Sequence, residues 1–179
     1  MALPDLPSGI VIRCATLSDV DALCSFRTRM FVEMGWTDHA RLDQLTVAYS
    51  AYLQETLASG DAAGWIAETS AQDSDPVAVG GACLVWKRVP PSLRNPDGRE
   101  AYVLGVFVDP GFRRRGIARV LVGEVIGQAQ AQGASVVTLH ASDEGRLLHE
   151  QIGFVDSHEM RLFTEHAPAP AWEPAYDAD

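Results

Sequence analysis

The chain has 179 residues, 47% of them hydrophobic, and a formal net charge of −10, which describes one ordinary soluble domain with room for a full core. A pI near 4.8 excludes a general nucleic-acid binder, because neutralising a phosphate backbone needs a broad basic face. The opening MALPDLPSGI has neither the basic start nor the apolar core of a secretory signal, and no apolar run approaches the roughly 20 residues that span a bilayer. Cys14, Cys24 and Cys83 are odd in number and lack CxxC spacing, so reduced thiols in a cytoplasmic protein are expected, with no disulfide framework or zinc site.

Residues 10–14, IVIRC, read as a first strand. Thr16, Ser18 or Asp19 caps a helix through about Met34, stopped by Gly35, and a second helix runs from about His39 to Leu57 before Gly60. GWIAETS (64–70) and PVAVGGACLVWKR (76–88) form a hairpin across the polar turn AQDSD. A Pro/Gly-rich loop (90–100) leads to the strand AYVLGVFV, 101–108, which Asp109-Pro110 ends. A helix from about Gly116 to Gln132, the strand VVTLH (136–140), a helix from about Asp143 to Ile152 and a last strand over 160–163 complete the series. The tail after Thr164 is acidic, rich in Ala and Pro, and aperiodic, as expected of a disordered or loosely docked end. Gly105 inside an apolar strand marks a bulge or a close approach of backbone.

Residues 106–118, VFVDPGFRRRGIA, set three arginines between the end of a strand and the start of a helix. Lys87 is the only lysine; codon bias explains that by itself, although arginine's planar fork suits phosphate better. A helix start leaves N–H groups unpaired and carries the positive end of the helix dipole, which makes an anion site. Gly116 admits a phosphate close to the backbone, Ala118 keeps the next turn small, and Arg113, Arg114 and Arg115 can add charge-assisted bonds. Taken alone, a charge run is as often a solvated turn. A P-loop fails because no lysine is near. A dinucleotide GxGxxG fails because the turn has one glycine and the next strand ends in histidine.

The pattern Arg/Gln-x-x-Gly-x-Gly/Ala, met by Arg113, Gly116 and Ala118, resembles the acetyl-CoA pyrophosphate loop of the GNAT N-acetyltransferase superfamily. A second block, HASDEGRLLHEQIGF at 140–154, resembles the superfamily's A-S-x-x-G-R-x-L-Y-E-x-x-G-F segment, and the element order over residues 10–163 agrees. The resemblance implies a GNAT-like α/β fold: a mixed, mostly antiparallel central sheet with splayed strands, flanked by helices. It implies one acetyltransferase domain over residues 1–163, followed by the tail 164–179. It also implies acetyl-CoA as co-substrate and no metal. The pyrophosphate would lie on Arg113, Arg114, Arg115, Gly116, Ile117 and Ala118, with Ser142 and Arg146 from the second block. The pantetheine arm would lie against backbone groups of Val106 and Val108, with an oxyanion donor near the N–H of Phe107.

Acetyl transfer from a thioester to an amine needs a neutral amine, a stabilised oxyanion and a protonated leaving thiolate. The superfamily's usual acid is the tyrosine of L-Y-E, where this chain has His149. An imidazole titrating near 6.5 is only partly protonated at pH 7. His149 is therefore the acid, or a hydrogen-bond partner of sulfur or water, or a packing substitution. Glu33, Glu100 and Tyr102 are candidate bases, and His140 or Ser142 could order a water; for each, an ordinary surface or structural role competes. The five histidines show no metal-binding spacing. Trp36, Tyr49 and Tyr52 could wall an acceptor site, and an acidic protein favours a cationic amine. The reading is an N-acetyltransferase acting directly on a primary amine of a small molecule or peptide, with no nucleic-acid or membrane partner and homodimerisation left open. The alternative is a non-catalytic acyl-CoA-binding regulatory module.

Overall fold

The computed structural model describes residues 6–70, 75–160 and 162. Five strands and four helices follow one another: β1 (Ile10–Cys14), α1 (Val20–Glu33), α2 (His39–Ser59), β2 (Ala62–Thr69), β3 (Ala78–Arg88), β4 (Arg99–Val108), α3 (Ile117–Ala131), β5 (Val136–Leu139) and α4 (Asp143–Ile152). The strands lie side by side in chain order. Every neighbouring pair is antiparallel except β4 and β5, since the chain between those two must cross over through α3. The expected mixed, mostly antiparallel sheet is what the chain forms.

Local signals set the helix ends. The Thr16 N–H donates to Asp19 Oδ2 at 2.7 Å in a short turn that opens α1, and Asp38 caps α2 by accepting from the Arg41 N–H. Gly60 and Gly153 end α2 and α4 in the left-handed conformation. The sheet buries both faces. On one, Ile117, Leu121, Val125 and Ala129 of α3 recur every four residues and pack on Trp65, Leu84, Ala101, Val103 and Val108. On the other, Leu23, Cys24 and Phe26 of α1 and Tyr49 and Leu53 of α2 pack on Ile66, Cys83 and Phe107. A buried Leu such as Leu121 contributes roughly 1.5–3 kcal/mol, so α3 is held by this stripe more than by helix propensity.

Among the boundaries that differ from expectation, β3 starts at Ala78 instead of residue 76 and β5 ends at Leu139, before His140. β2 starts at Ala62 and β4 at Arg99, because both pair along the long β3, as far as Arg88 with Arg99; α2 continues to Ser59. Met160 and Leu162 are not in a strand, while Arg161, Phe163, the tail 164–179 and the turn residues 71–74 lie outside the described residues. No helix among the described residues is long and apolar enough to cross a membrane.

Candidate functional site

β4 has a neighbour on each side only over its first half. β5 pairs with it from Glu100 opposite Val136 to Val103 opposite Leu139 and then stops, so among the described residues the same edge of 104–108 has no strand beside it. A bulge begins where the partner is lost. Leu104 pairs with Cys83 and Phe107 with Gly81, which leaves Gly105 and Val106 both opposite Ala82. Gly105 sits at φ +65°, a conformation that costs a side-chain-bearing residue about 1–2 kcal/mol. The splayed pair and the bulge expected at Gly105 are both present.

Past the bulge, the Asp109 N–H donates to the Val79 carbonyl at 2.8 Å. Backbone groups alternate sides along an antiparallel strand, so those of Phe107 face β3 and those of Val106 and Val108 face the open edge. This corrects the expectation for Phe107. Its N–H is turned into the sheet, and the donors available at the opening are those of Val106 and Val108.

A short turn (Pro110–Phe112) and residues 113–116 join β4 to α3. Arg114, at φ +61°, is the one non-glycine in the left-handed region among the described residues, and Gly116, at φ +82°, sits directly before the helix. The N–H groups of Arg114, Arg115 and Gly116 find no acceptor among the described residues. They adjoin the unpaired donors of the first turn of α3, so the loop presents a run of backbone donors at the positive end of a helix. Ile117, 1% exposed, pins that end to the core.

The three arginines do different things. Arg113 Nε donates to the Val108 carbonyl at 2.8 Å and Nη2 pairs with Glu33 at 2.5 Å, while the guanidinium lies over the Phe107 ring. It braces the loop between β4 and the end of α1. Arg115 turns back to the Gly111 carbonyl at 3.0 Å. Arg114 is exposed and makes no hydrogen bond or ion pair among the described residues, which leaves it as the side chain ready for an anion. Glu33, a candidate base, is thus a partner of the loop.

On α4, Ser142 caps the helix by accepting from the Gly145 N–H at 3.2 Å. Arg146 points to the surface and pairs with Asp156 at 2.6 Å. His149 is 8% exposed, packs edge-on against Phe154, and leaves Nδ1 buried without a partner. Burial pushes its pKa below the ordinary value of 6.5, so the imidazole is neutral at pH 7.

A further group assembles on the sheet face that α1 and α2 cover. Tyr102 lies opposite Val85 and Thr138, and Glu100 opposite Lys87 and Val136; paired residues share a face. Tyr102 Oη and His140 Nδ1 are 2.5 Å apart. The Lys87 ammonium stands 3.3 Å from the centre of the Tyr102 ring, and Thr138 Oγ1 donates to Glu100 at 2.5 Å. His140 directly follows β5, so the Tyr102–His140 pair stands at the fork where β4 and β5 part. Sequence reasoning named both residues without joining them. The available signal was parallel register, since the two strands must align before they can splay.

The model of the acetyltransferase (GNAT) family matches residues 28–154, a span that includes the fork, the donor loop and α4. The structure is similar to that of a GCN5-related N-acetyltransferase from Ralstonia eutropha JMP134, at 26% identity and a TM-score of 0.78 over 87% of this chain and 99% of that one. It is similar also to a "predicted acetyltransferase with acetyl-CoA" from Clostridium acetobutylicum, at 24% identity and a TM-score of 0.75 over 87% and 96%. An aminoglycoside N-acetyltransferase in complex with CoA aligns at 21% identity with a TM-score of 0.66, over 92% of this chain and 100% of that one. No curated protein matches the sequence.

Proposed function

The chain belongs to the GNAT acetyltransferase family, and from that premise we propose that it transfers an acetyl group from acetyl-CoA directly to a primary amine of a small molecule or peptide. The observation that carries this reading is the continuity of the open β4 edge with the donor loop. A slot of strand-edge hydrogen-bonding groups leads straight to a helix N-terminus built for anions.

The residues fit the coenzyme. The N–H groups of Arg114, Arg115 and Gly116, the first turn of α3 and the Arg114 guanidinium would hold the diphosphate. Arg113 and Arg115 shape the loop through the Val108 and Gly111 carbonyls. Because Arg113 engages the Val108 carbonyl, the groups left for the pantetheine amides and the acyl oxygen are those of Val106 and the Val108 N–H. When bound, acetyl-CoA supplies an acyl group activated as a thioester.

The side chains at the fork handle the protons. Tyr102 Oη accepts a proton from the incoming ammonium while passing its own to His140 Nδ1 along their 2.5 Å contact. The freed amine attacks, so that an N–C bond forms as the C–S bond breaks. His149, neutral at pH 7, gives the departing thiolate a hydrogen bond and leaves its protonation to solvent.

Calorimetric titration with acetyl-CoA tests the first half of this scheme, and amine-dependent thiol release tests the second. Binding lost in Gly116→Trp supports the cradle; a folded wild-type protein that binds no acetyl-CoA refutes it. The missing family tyrosine favours one other reading, a non-catalytic acyl-CoA-binding module, which predicts binding with no thiol release for any amine.

A further inference from the structure

Arg27, on α1, is set unlike the other arginines. Its guanidinium carbon lies 4.6 Å from the centre of the Tyr49 ring and 5.1 Å from that of Phe31, so two aromatic rings hold it by cation–π contact. Arg13 is paired with Asp19 and Glu68, Arg29 with Asp109, and Arg113 with Glu33. Arg119, half-buried like Arg27, bonds Gln151. Among the described residues, Arg27 is the one half-buried arginine with neither a hydrogen bond nor an ion pair. None of the described acidic side chains pairs with this cation. Its Nε is sealed from solvent and unpartnered, an arrangement that folded proteins generally avoid.

A second sealed donor lies close by. Trp36 Nε1 is also buried without a partner, and the Trp36 ring meets Phe31 edge-on at 6.3 Å. Both orphans flank Phe31, and neither side chain can accept a hydrogen bond. A ligand that completed this group would therefore be an acceptor, and beside a guanidinium the fitting acceptor is an anion.

The place is as informative as the chemistry. The Tyr49 hydroxyl stands 3.8 Å from where a Cβ on Gly105 would be. Arg27 is thus one aromatic ring away from the β4 bulge, on the sheet face that carries Tyr102 and His140. We propose that Arg27 is an anion subsite of the acceptor pocket, and that the amine substrate bears an anionic group, a carboxylate or a phosphate, away from its reacting nitrogen. This rests on the acetyltransferase reading. The acidic protein draws the ammonium end by its overall field, and Arg27 selects what the other end must be.

The test uses the full chain and measures acetyl-CoA binding first, by calorimetry. kcat/KM is then obtained by thiol release for amino acids against their carboxamides, and for O-phosphoethanolamine against ethanolamine. An anionic member should exceed its neutral counterpart about tenfold or more, and the better pair tells carboxylate from phosphate. Arg27→Gln should abolish the preference by raising KM, with acetyl-CoA affinity unchanged, and Arg27→Lys should keep part of it. Independently of turnover, N-acetylated amino acids and N-acetyl-O-phosphoethanolamine should alter tryptophan fluorescence in the wild type and not in Arg27→Gln. Equal or better use of the neutral amines, or a preference that survives Arg27→Gln, overturns the subsite. If Arg27→Gln does not fold, Arg27→Lys against wild type decides. Failure of acetyl-CoA to bind removes the acetyltransferase reading but leaves the fluorescence titration standing, and there a wild type silent to every anionic probe overturns the subsite on its own.

Discussion

Residues 100–103 of β4 run between two strands, and residues 104–108 have β3 alone among the described residues. In the first stretch the backbone is fully used by the sheet, so what that half can offer a ligand is side chains: Glu100 and Tyr102, gathered with Lys87, Thr138 and His140. In the second the side chains of Phe107 and Val108 are buried in the two cores, and what remains is backbone. Gly105 divides the two regimes. On the proposed reading, one strand serves two substrates, a long coenzyme held by peptide groups and an acceptor handled by side chains, without either competing for the same atoms.

The sharpest way to break this division is at the loop that continues the second half. Gly116→Trp fills the approach to the donor run and forces a side chain into φ +82°, so the Kd for acetyl-CoA should rise about 100-fold or more while the melting transition stays cooperative. Calorimetry reads both, and a Kd within threefold of wild type would place the coenzyme elsewhere. At the other end, Tyr102→Phe removes the hydroxyl that meets His140 and nothing else. kcat should fall about 100-fold with the acetyl-CoA Kd unchanged. If the affinity falls instead, the two halves do not divide as described.

The divider itself comes next in size. Gly105→Ala has room for its methyl, since the nearest atom, Tyr49 Oη, is 3.8 Å away, so the cost is backbone strain alone. Urea unfolding should show a loss of about 1–2 kcal/mol. A neutral result would mean that the bulge relaxes, and activity should then fall with it.

The smallest effect concerns His149. Burial lowers its folded-state pKa from 6.5, so as pH falls the unfolded chain takes up the proton first. The stabilisation is complete above pH 6.5 and is lost as pH drops through the folded-state pKa. His149→Gln should flatten this acid limb, so urea midpoints at pH 7.5 and pH 5.5 should lie closer together than in wild type. An unchanged gap would assign the limb to other groups.

What could be read from the sequence was local. The strand, the Pro110 turn, Gly116 and the four-residue stripe of α3 are contiguous, and each announces itself by periodicity or by a residue with special backbone freedom. What could not be read joins distant parts of the chain. Tyr102 meets His140 across 38 residues and Glu33 meets Arg113 across 80; the first is reachable only through the register of two strands, and the second leaves no trace in spacing. Phe107 shows a subtler failure. Which way a strand residue turns its N–H depends on every register step before it, and one extra residue in a bulge reverses all that follow. Gly105 signalled that a bulge was there; only the pairing with β3 shows on which side the backbone emerges.

Lys87 gives the molecule an unusual chemical handle. It is the single lysine of the chain, and its ammonium rests on the Tyr102 ring, beside the atoms assigned to the amine. Within residues 1–179, Lys87 is therefore the one side-chain amine that an amine-directed reagent can modify, and on the proposed reading it lies on the acceptor side of the fork. Modification at Lys87, read by peptide mass, reports directly on who occupies that side: an acceptor in place shields it, and an empty fork leaves it open.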